Sequence, residues 1–273
     1  MGGIAELLVL DVGNTNIKIG LADQRGLKQS FCLPTPERGT VDSLGMDISN
    51  VLMHNGLDRK KLKAWVVSSV VPRLDGPIRG AGQSWCACPV YFVPKDIALP
   101  IANCYKRPEE VGADRLVSAY AATRMFDGQA HIVIDFGTAT TFDCVKDNRY
   151  LGGLICPGVL SSIQALGTQT AKLPQVSLNR RPENDLDIKI GESTRESLEN
   201  GLLFGFGAMI EGLSARLKPI VGGEPRVVAT GGLAGNIAAI CPEIEIVCEN
   251  LLLEGLRLSF YENINKNYGE EWT

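Results

Sequence analysis

Leu8-Val9-Leu10-Asp11-Val12-Gly13-Asn14-Thr15-Asn16 is a short apolar run, then Asp-x-Gly, then amides and a hydroxyl. Ile132-Val133-Ile134-Asp135-Phe136-Gly137-Thr138-Ala139-Thr140 repeats that order in the second half of the chain. Each reads as a buried strand entering a tight turn. A duplication kept for packing alone would retain only its apolar residues. This one also retains a carboxylate, a glycine and small donors at the strand end. The glycine lets a phosphate approach the backbone, and amide and hydroxyl groups can wrap its oxygens. Two such turns are what two halves gripping one phosphate chain require.

Working outward from the first copy, residues 17–22 form the return strand of a hairpin. Lys18 places a positive charge one step beyond the turn. Asp11 can hold Mg²⁺, which takes one or two carboxylates with phosphate and water. In the second copy, Thr138, Thr140 and Thr141 stand where the first has Asn and Lys. Three hydroxyls with Asp135 suit phosphate oxygens or a second cation. Val41, Leu44, Ile48, Val51 and Leu52 mark one face of a helix over 41–55. Strands follow at 64–71 and 90–93. Gly112-Ala113-Asp114-Arg115 precedes the helical face of Leu116, Val117, Tyr120 and Ala121. Asp114 therefore stands at a helix start, where aspartate by itself reads as an N-cap.

In the second half, strands are expected at 131–135, 140–145 and 150–155, then a helix from about Val159. A polar connection runs from Pro174 to Lys189. A long helix over 193–218 is interrupted by Gly201, Gly205, Gly207 and Gly212, reading either as a contact surface or as an ordinary core helix. A strand at 226–229 leads into Thr230-Gly231-Gly232, a candidate for nucleoside contact, and a helix over 249–264 closes the chain. Alternating strands and helices predict an α/β fold. The 273 residues fit two domains of ~130 residues, divided as 1–128 and 129–273.

Composition narrows the function. The chain is 45% hydrophobic and 21% charged, ordinary for a soluble globular protein. A net charge of −4 without a basic run argues against nucleic acid as a partner. The apolar runs fall short of the ~20 residues of a membrane span. Met1-Gly2-Gly3-Ile4-Ala5-Glu6 lacks the features of a signal peptide, so a cytoplasmic protein is expected. Among eight cysteines only Cys86 and Cys88 are close, as Cys-x-Cys, narrower than the usual zinc spacing. Buried, reduced cysteines are the expectation, and His54 and His131 read as structural. No P-loop lysine motif, no G-x-G-x-x-G after a strand and no G-x-S-x-G elbow is present.

A phosphate-gripping duplication without a P-loop resembles the actin, sugar kinase and Hsp70 superfamily. Within it the chain is similar to the type III pantothenate kinases. Asp11-x-Gly-Asn-Thr-Asn-x-Lys18 and Tyr105-x-x-Pro108-x-x-x-Gly112-Ala-Asp114-Arg115 carry that resemblance. So do Asp135-x-Gly-Thr138-Ala-Thr-Thr141, Gly152-Gly153-x-Ile155-x-Pro157-Gly158 and Gly191-x-x-Thr194-x-x-Ser197. These motifs and the Thr230-Gly231-Gly232 turn run in order from position 11 to 232.

The resemblance implies two ribonuclease H-like domains with the active site in the cleft between them. It implies ATP-dependent phosphorylation of pantothenate to 4′-phosphopantothenate, the first step towards coenzyme A. Asp114 would be the general base. Asp11 would organise Mg²⁺ and the ATP phosphates, directly or through water, with Gly13, Asn14, Thr15, Asn16 and Lys18 around them. Thr138, Gly231 and Gly232 would contact ATP. Asp135 would bind a monovalent cation, K⁺ or NH₄⁺. Tyr105, Gly112, Ala113, Arg115 and Thr194 would line the pantothenate site, and the protein would be a homodimer. Two rivals share the phosphate turns: another kinase or phosphatase of the superfamily, and a non-catalytic accessory protein that keeps the fold.

Overall fold

The computed structural model describes residues 6–169, 174, 176, 178 and 187–268. The chain divides into two compact units: Met1–Ile101, Arg107–Ala121 and Leu252–Thr273 form one, and Ala102–Lys106 and Ala122–Leu251 the other. These units differ from the expected division at 128/129 in three segments: residues 102–106, 122–128 and 252–273. The first and last of these have a visible cause, given below.

In the first unit, β1 (Leu7–Val12), β2 (Asn16–Asp23) and β3 (Gly26–Pro34) form an antiparallel meander. Helix α1 (Val41–His54) follows, opened by a reciprocal Thr40–Ser43 capping box. β4 (Ala64–Ser69) runs parallel to β1. Helix α2 (Pro72–Cys86) and β5 (Val90–Phe92) complete the sheet, in the order β3-β2-β1-β4-β5. Apart from Asp11, β1 is apolar because both its faces are covered. Leu8, Leu10 and Val12 pack with Trp65, Val67 and the α1 and α2 residues Leu44, Ile48, Leu74 and Ile78. On the other face, Leu7, Val9 and Val66 pack with Val117, Leu252, Leu253 and Leu256. The last three residues belong to the closing helix, which explains its place in this unit. Its Glu254 carboxylate accepts from Leu27 N at 2.9 Å, and Arg257 donates to the Gln24 carbonyl at 2.8 Å.

β6 (Ala102–Asn103) belongs to the second unit, and helix α3 (Ala113–Met125) lies in the first up to Ala121. The second unit then opens with β7 (Ala130–Phe136), β8 (Ala139–Lys146) and β9 (Arg149–Pro157), again an antiparallel meander. Helices α4 (Val159–Gln169) and α5 (Thr194–Val221) follow, then β10 (Arg226–Thr230) parallel to β7. Helix α6 (Ala234–Ala238), β11 (Ile246–Val247) and α7 (Leu251–Tyr268), the closing helix, end the chain. The sheet order is β11-β10-β7-β8-β9-β6. Without β6 it is the first sheet again, strand for strand and sense for sense. β6 pairs in parallel with β9, which draws residues 102–106 into this unit.

The connection expected over 174–189 lies mostly outside the described residues. Of the α5 glycines, Gly207 packs against Ile240 of its own unit, whereas Gly201 and Gly205 face open space. Among the described residues no helix is long and apolar enough to cross a membrane.

Candidate active site

In the first unit the site is built at the carboxyl ends of β1 and β4. Asp11 lies opposite Lys18 on β2 and beside Ser68 on β4. Residues in register on neighbouring strands share a face, so a carboxylate stands between an ammonium and a hydroxyl. Ser68 is fully buried, and its hydroxyl has no hydrogen-bond partner among the described residues. The sequence marks this stretch as a strand and gives Ser68 no role; the one available signal is the Ser68-Ser69 pair closing an otherwise apolar strand.

The β1–β2 turn is braced from below. Gly13 N donates to the Asn16 carbonyl at 3.0 Å, while Thr35 donates to the carbonyls of Thr15 and Gly13 at 2.9 and 2.6 Å. Asn14, Thr15 and Asn16 are exposed, so their side chains are presented to solvent on a fixed tip.

Asp114 is the second residue of α3, whose Val117 packs on the β1 face that also carries Asp11. Its Oδ1 accepts from Arg115 N at 2.8 Å, a contact made one residue on rather than the two or three of an N-cap. The carboxylate folds over Gly112, where a Cβ would collide with it and would also lie 3.5 Å from Val70. Val70 N in turn donates to Val12 O at 3.1 Å, one residue past Asp11. Asp114 and Asp11 thus share one end of one sheet, and Gly112 makes room for the acid. Burial pushes the Asp114 carboxyl above the usual carboxylate range, against the backbone amide and charge of Arg115.

The second unit repeats the arrangement. Gly137 N donates to the Ala139 carbonyl at 3.1 Å, closing the turn as Gly13 does. Ser161 donates to the Thr138 carbonyl at 2.7 Å. Gly158 lies so close against the Thr138 carbonyl that no side chain fits there. Thr230 pairs with Asp135, and Gly231, at φ +92°, lies over it. A Cβ on Gly231 would be 2.7 Å from the Phe136 carbonyl and 2.8 Å from Asp135 Oδ1. Two oxygens therefore converge at a point that only glycine leaves open.

Not every expected residue joins this group. Of the three threonines, Thr138 is exposed at the turn and Thr141 is half-buried on the Asp135 face. Thr140 is fully buried opposite Phe136, on the face of the second unit's core. The two-residue alternation of a strand separates neighbours in this way, so Thr140 faces the core and not the Asp135 face. Tyr105 follows β6 and lies against β9, and Thr194 is exposed at the start of α5. Gly232 is exposed beyond β10.

Among the described residues no three His, Cys, Asp or Glu side chains gather as a metal-binding cluster. The donor sets present suit harder, sparser binding. Asp11 with the unpaired Ser68 hydroxyl fits a water-clad divalent ion, and Asp135 with the Phe136 carbonyl fits an oxygen-bound monovalent one.

The duplicated sheets with paired Asp-x-Gly turns define the fold of the actin, sugar kinase and Hsp70 group. A ROK family protein from Streptococcus pneumoniae shares that fold at a TM-score of 0.54 and 11% identity, covering 95% of this chain and 99% of that one. An inorganic polyphosphate/ATP-glucomannokinase from Arthrobacter does so at 0.50 and 12%, covering 94% and 99%. The sequence model of the type III pantothenate kinase family matches residues 7–216. A type III pantothenate kinase of Nitratidesulfovibrio vulgaris strain Miyazaki F is 50% identical over 93% of this chain and 97% of its own length. The chain belongs to the type III pantothenate kinase family.

Proposed function

We propose that Asp114 is the general base of this chain's reaction and that the two Asp-x-Gly turns hold the ATP phosphates. The reaction is the family's: ATP-dependent phosphorylation of pantothenate, the first step of coenzyme A biosynthesis. The observation that carries the site reading is the position of Asp114. It stands at the same sheet end as Asp11, with its proton affinity raised by burial. A carboxyl so tuned takes a proton from an alcohol more readily than an ordinary one.

Phosphoryl transfer is largely positioning and charge stabilisation. Asn14, Thr15 and Asn16 offer donors to phosphate oxygens from a braced tip, with Lys18 supplying charge. Thr138 offers a hydroxyl from the second turn, and Gly231 and Gly232 leave room for the nucleoside. Asp11 and Ser68 would hold Mg²⁺ through water, and Asp135 with the Phe136 carbonyl would hold K⁺ or NH₄⁺. When bound, these ions supply positive charge against the phosphates and the two aspartates. Arg115 follows the base directly, so its guanidinium can pair bidentately with the pantothenate carboxylate. Tyr105, Ala113 and Thr194 complete the acceptor's surroundings, and the active species is a homodimer.

A substrate panel tests the reading. ADP release from ATP should require pantothenate and should not follow from glucose or an N-acetylated hexosamine. Arg115→Lys should raise the pantothenate KM about tenfold. Turnover with a sugar, or an unchanged KM in that variant, would overturn the acceptor assignment.

A further inference from the structure

Asp143 is a carboxylate at 1% exposure in the middle of β8, one strand step from Thr141. A buried acid is costly unless each oxygen is engaged. Here Oδ1 accepts from the Tyr150 hydroxyl at 2.8 Å, and Oδ2 accepts from Thr141 Oγ1 at 3.1 Å. An apolar residue would fill the same place without that cost, so packing does not account for an acid there.

What Tyr150 touches gives the reason. It is fully buried, and its ring meets that of Tyr105 at 6.3 Å between centroids, tilted by 44°. The Tyr150 carbonyl accepts from Cys104 N at 2.9 Å, and Asn103 pairs with Tyr150 across β6 and β9. Asn103 Oδ1 accepts from Tyr105 N at 3.0 Å. Tyr105 also crosses Gly152, whose φ of +112° excludes ordinary side chains. A Cβ there would lie 3.2 Å from the ring. The segment bearing Tyr105 is thus seated on β9, and the β9 residue beneath it is anchored by a buried acid.

We propose that Asp143 is a positioning residue for the acceptor substrate, fixing Tyr150 and through it the ring of Tyr105. This rests on the reading of Tyr105 as part of the pantothenate site. The Thr141 arm ties the same carboxylate to the strand position opposite Asp135. One buried acid therefore sets both a substrate wall and the approach to the cation turn.

The test compares Tyr150→Phe, Asp143→Asn and Tyr105→Ala by steady-state kinetics with each substrate varied, alongside thermal unfolding. Tyr150→Phe keeps the ring and removes only the hydroxyl. It should raise the pantothenate KM about five- to tenfold while kcat and the ATP KM stay within about twofold. Asp143→Asn should raise the pantothenate KM at least as much, and combining it with Tyr150→Phe should add nothing further. Tyr105→Ala tests the underlying reading. If it raises the pantothenate KM and Tyr150→Phe does not, the relay is wrong and the reading of Tyr105 stands. If neither variant moves that KM, both fall. If Tyr150→Phe acts and Tyr105→Ala does not, the route through Tyr105 is wrong. A merely structural Asp143 would lower the amount of active enzyme and the unfolding temperature without moving the pantothenate KM.

Discussion

Replacing Asp114 by asparagine separates its chemistry from its structure. The amide has the shape of the carboxyl, so it keeps the Arg115 N contact and fits the space over Gly112. It cannot take a proton. A positioned general base contributes about 10²–10⁴-fold, so kcat should fall by that factor, roughly 3–5 kcal/mol of barrier. Stability should move the other way. Burial raises the folded-state pKa of Asp114 above its ordinary value of 3.8. The folded state then binds more protons than the unfolded chain in the window above 3.8, and stability is lost as pH rises through it. At pH 7 the wild type carries that penalty and Asp114→Asn does not. The variant should unfold at an equal or higher temperature, and the gap should close as pH falls towards 3.8. Single-turnover phosphate transfer and thermal scans at two pH values measure both halves. A variant with more than a tenth of wild-type kcat, or one that unfolds at a markedly lower temperature at pH 7, would refute the assignment.

Gly158→Ala should raise the ATP KM at least tenfold and lower the unfolding temperature, because the new methyl meets the Thr138 backbone. Gly201→Ala, facing open space in α5, should be neutral or stabilising by up to about 1 kcal/mol. Leu256→Ala should cost about 2–5 kcal/mol in denaturant unfolding, since Leu256 is fully buried against β1 and α3. Burial pushes the His131 imidazole below its ordinary value of 6.5, aided by Arg226. The unfolded chain then takes up a proton that the native ring refuses, so stability is full above pH 6.5 and falls below it. His131→Phe should flatten that slope in a pH series of unfolding midpoints.

The two Asp-x-Gly turns were legible because strand, glycine and small donors follow one another within nine residues. Most elements could be placed within a residue or two for the same local reasons. β3 was missed because it is an edge strand: Lys28, Gln29 and Ser30 are exposed and blur its alternation. α2 was missed because Pro77 and three interior glycines read as a breaker. Its helix is held by Pro72 in the first turn and by Leu74 and Ile78 in the core. No local pattern says that α7 returns to the first unit; the register of Leu252, Leu253 and Leu256 with β1 becomes visible only in three dimensions. Ser68 and Asp143 escaped notice for a related reason. A polar residue within a strand gains meaning only from what lies beside it on the next strand.

The most direct measurement is ADP release by the purified protein with Mg²⁺ and ATP, with and without pantothenate, in K⁺ and again in Na⁺. The account predicts release that requires pantothenate and is much faster in K⁺. ADP release that proceeds equally without pantothenate, or ATP binding with no turnover in either salt, would contradict it.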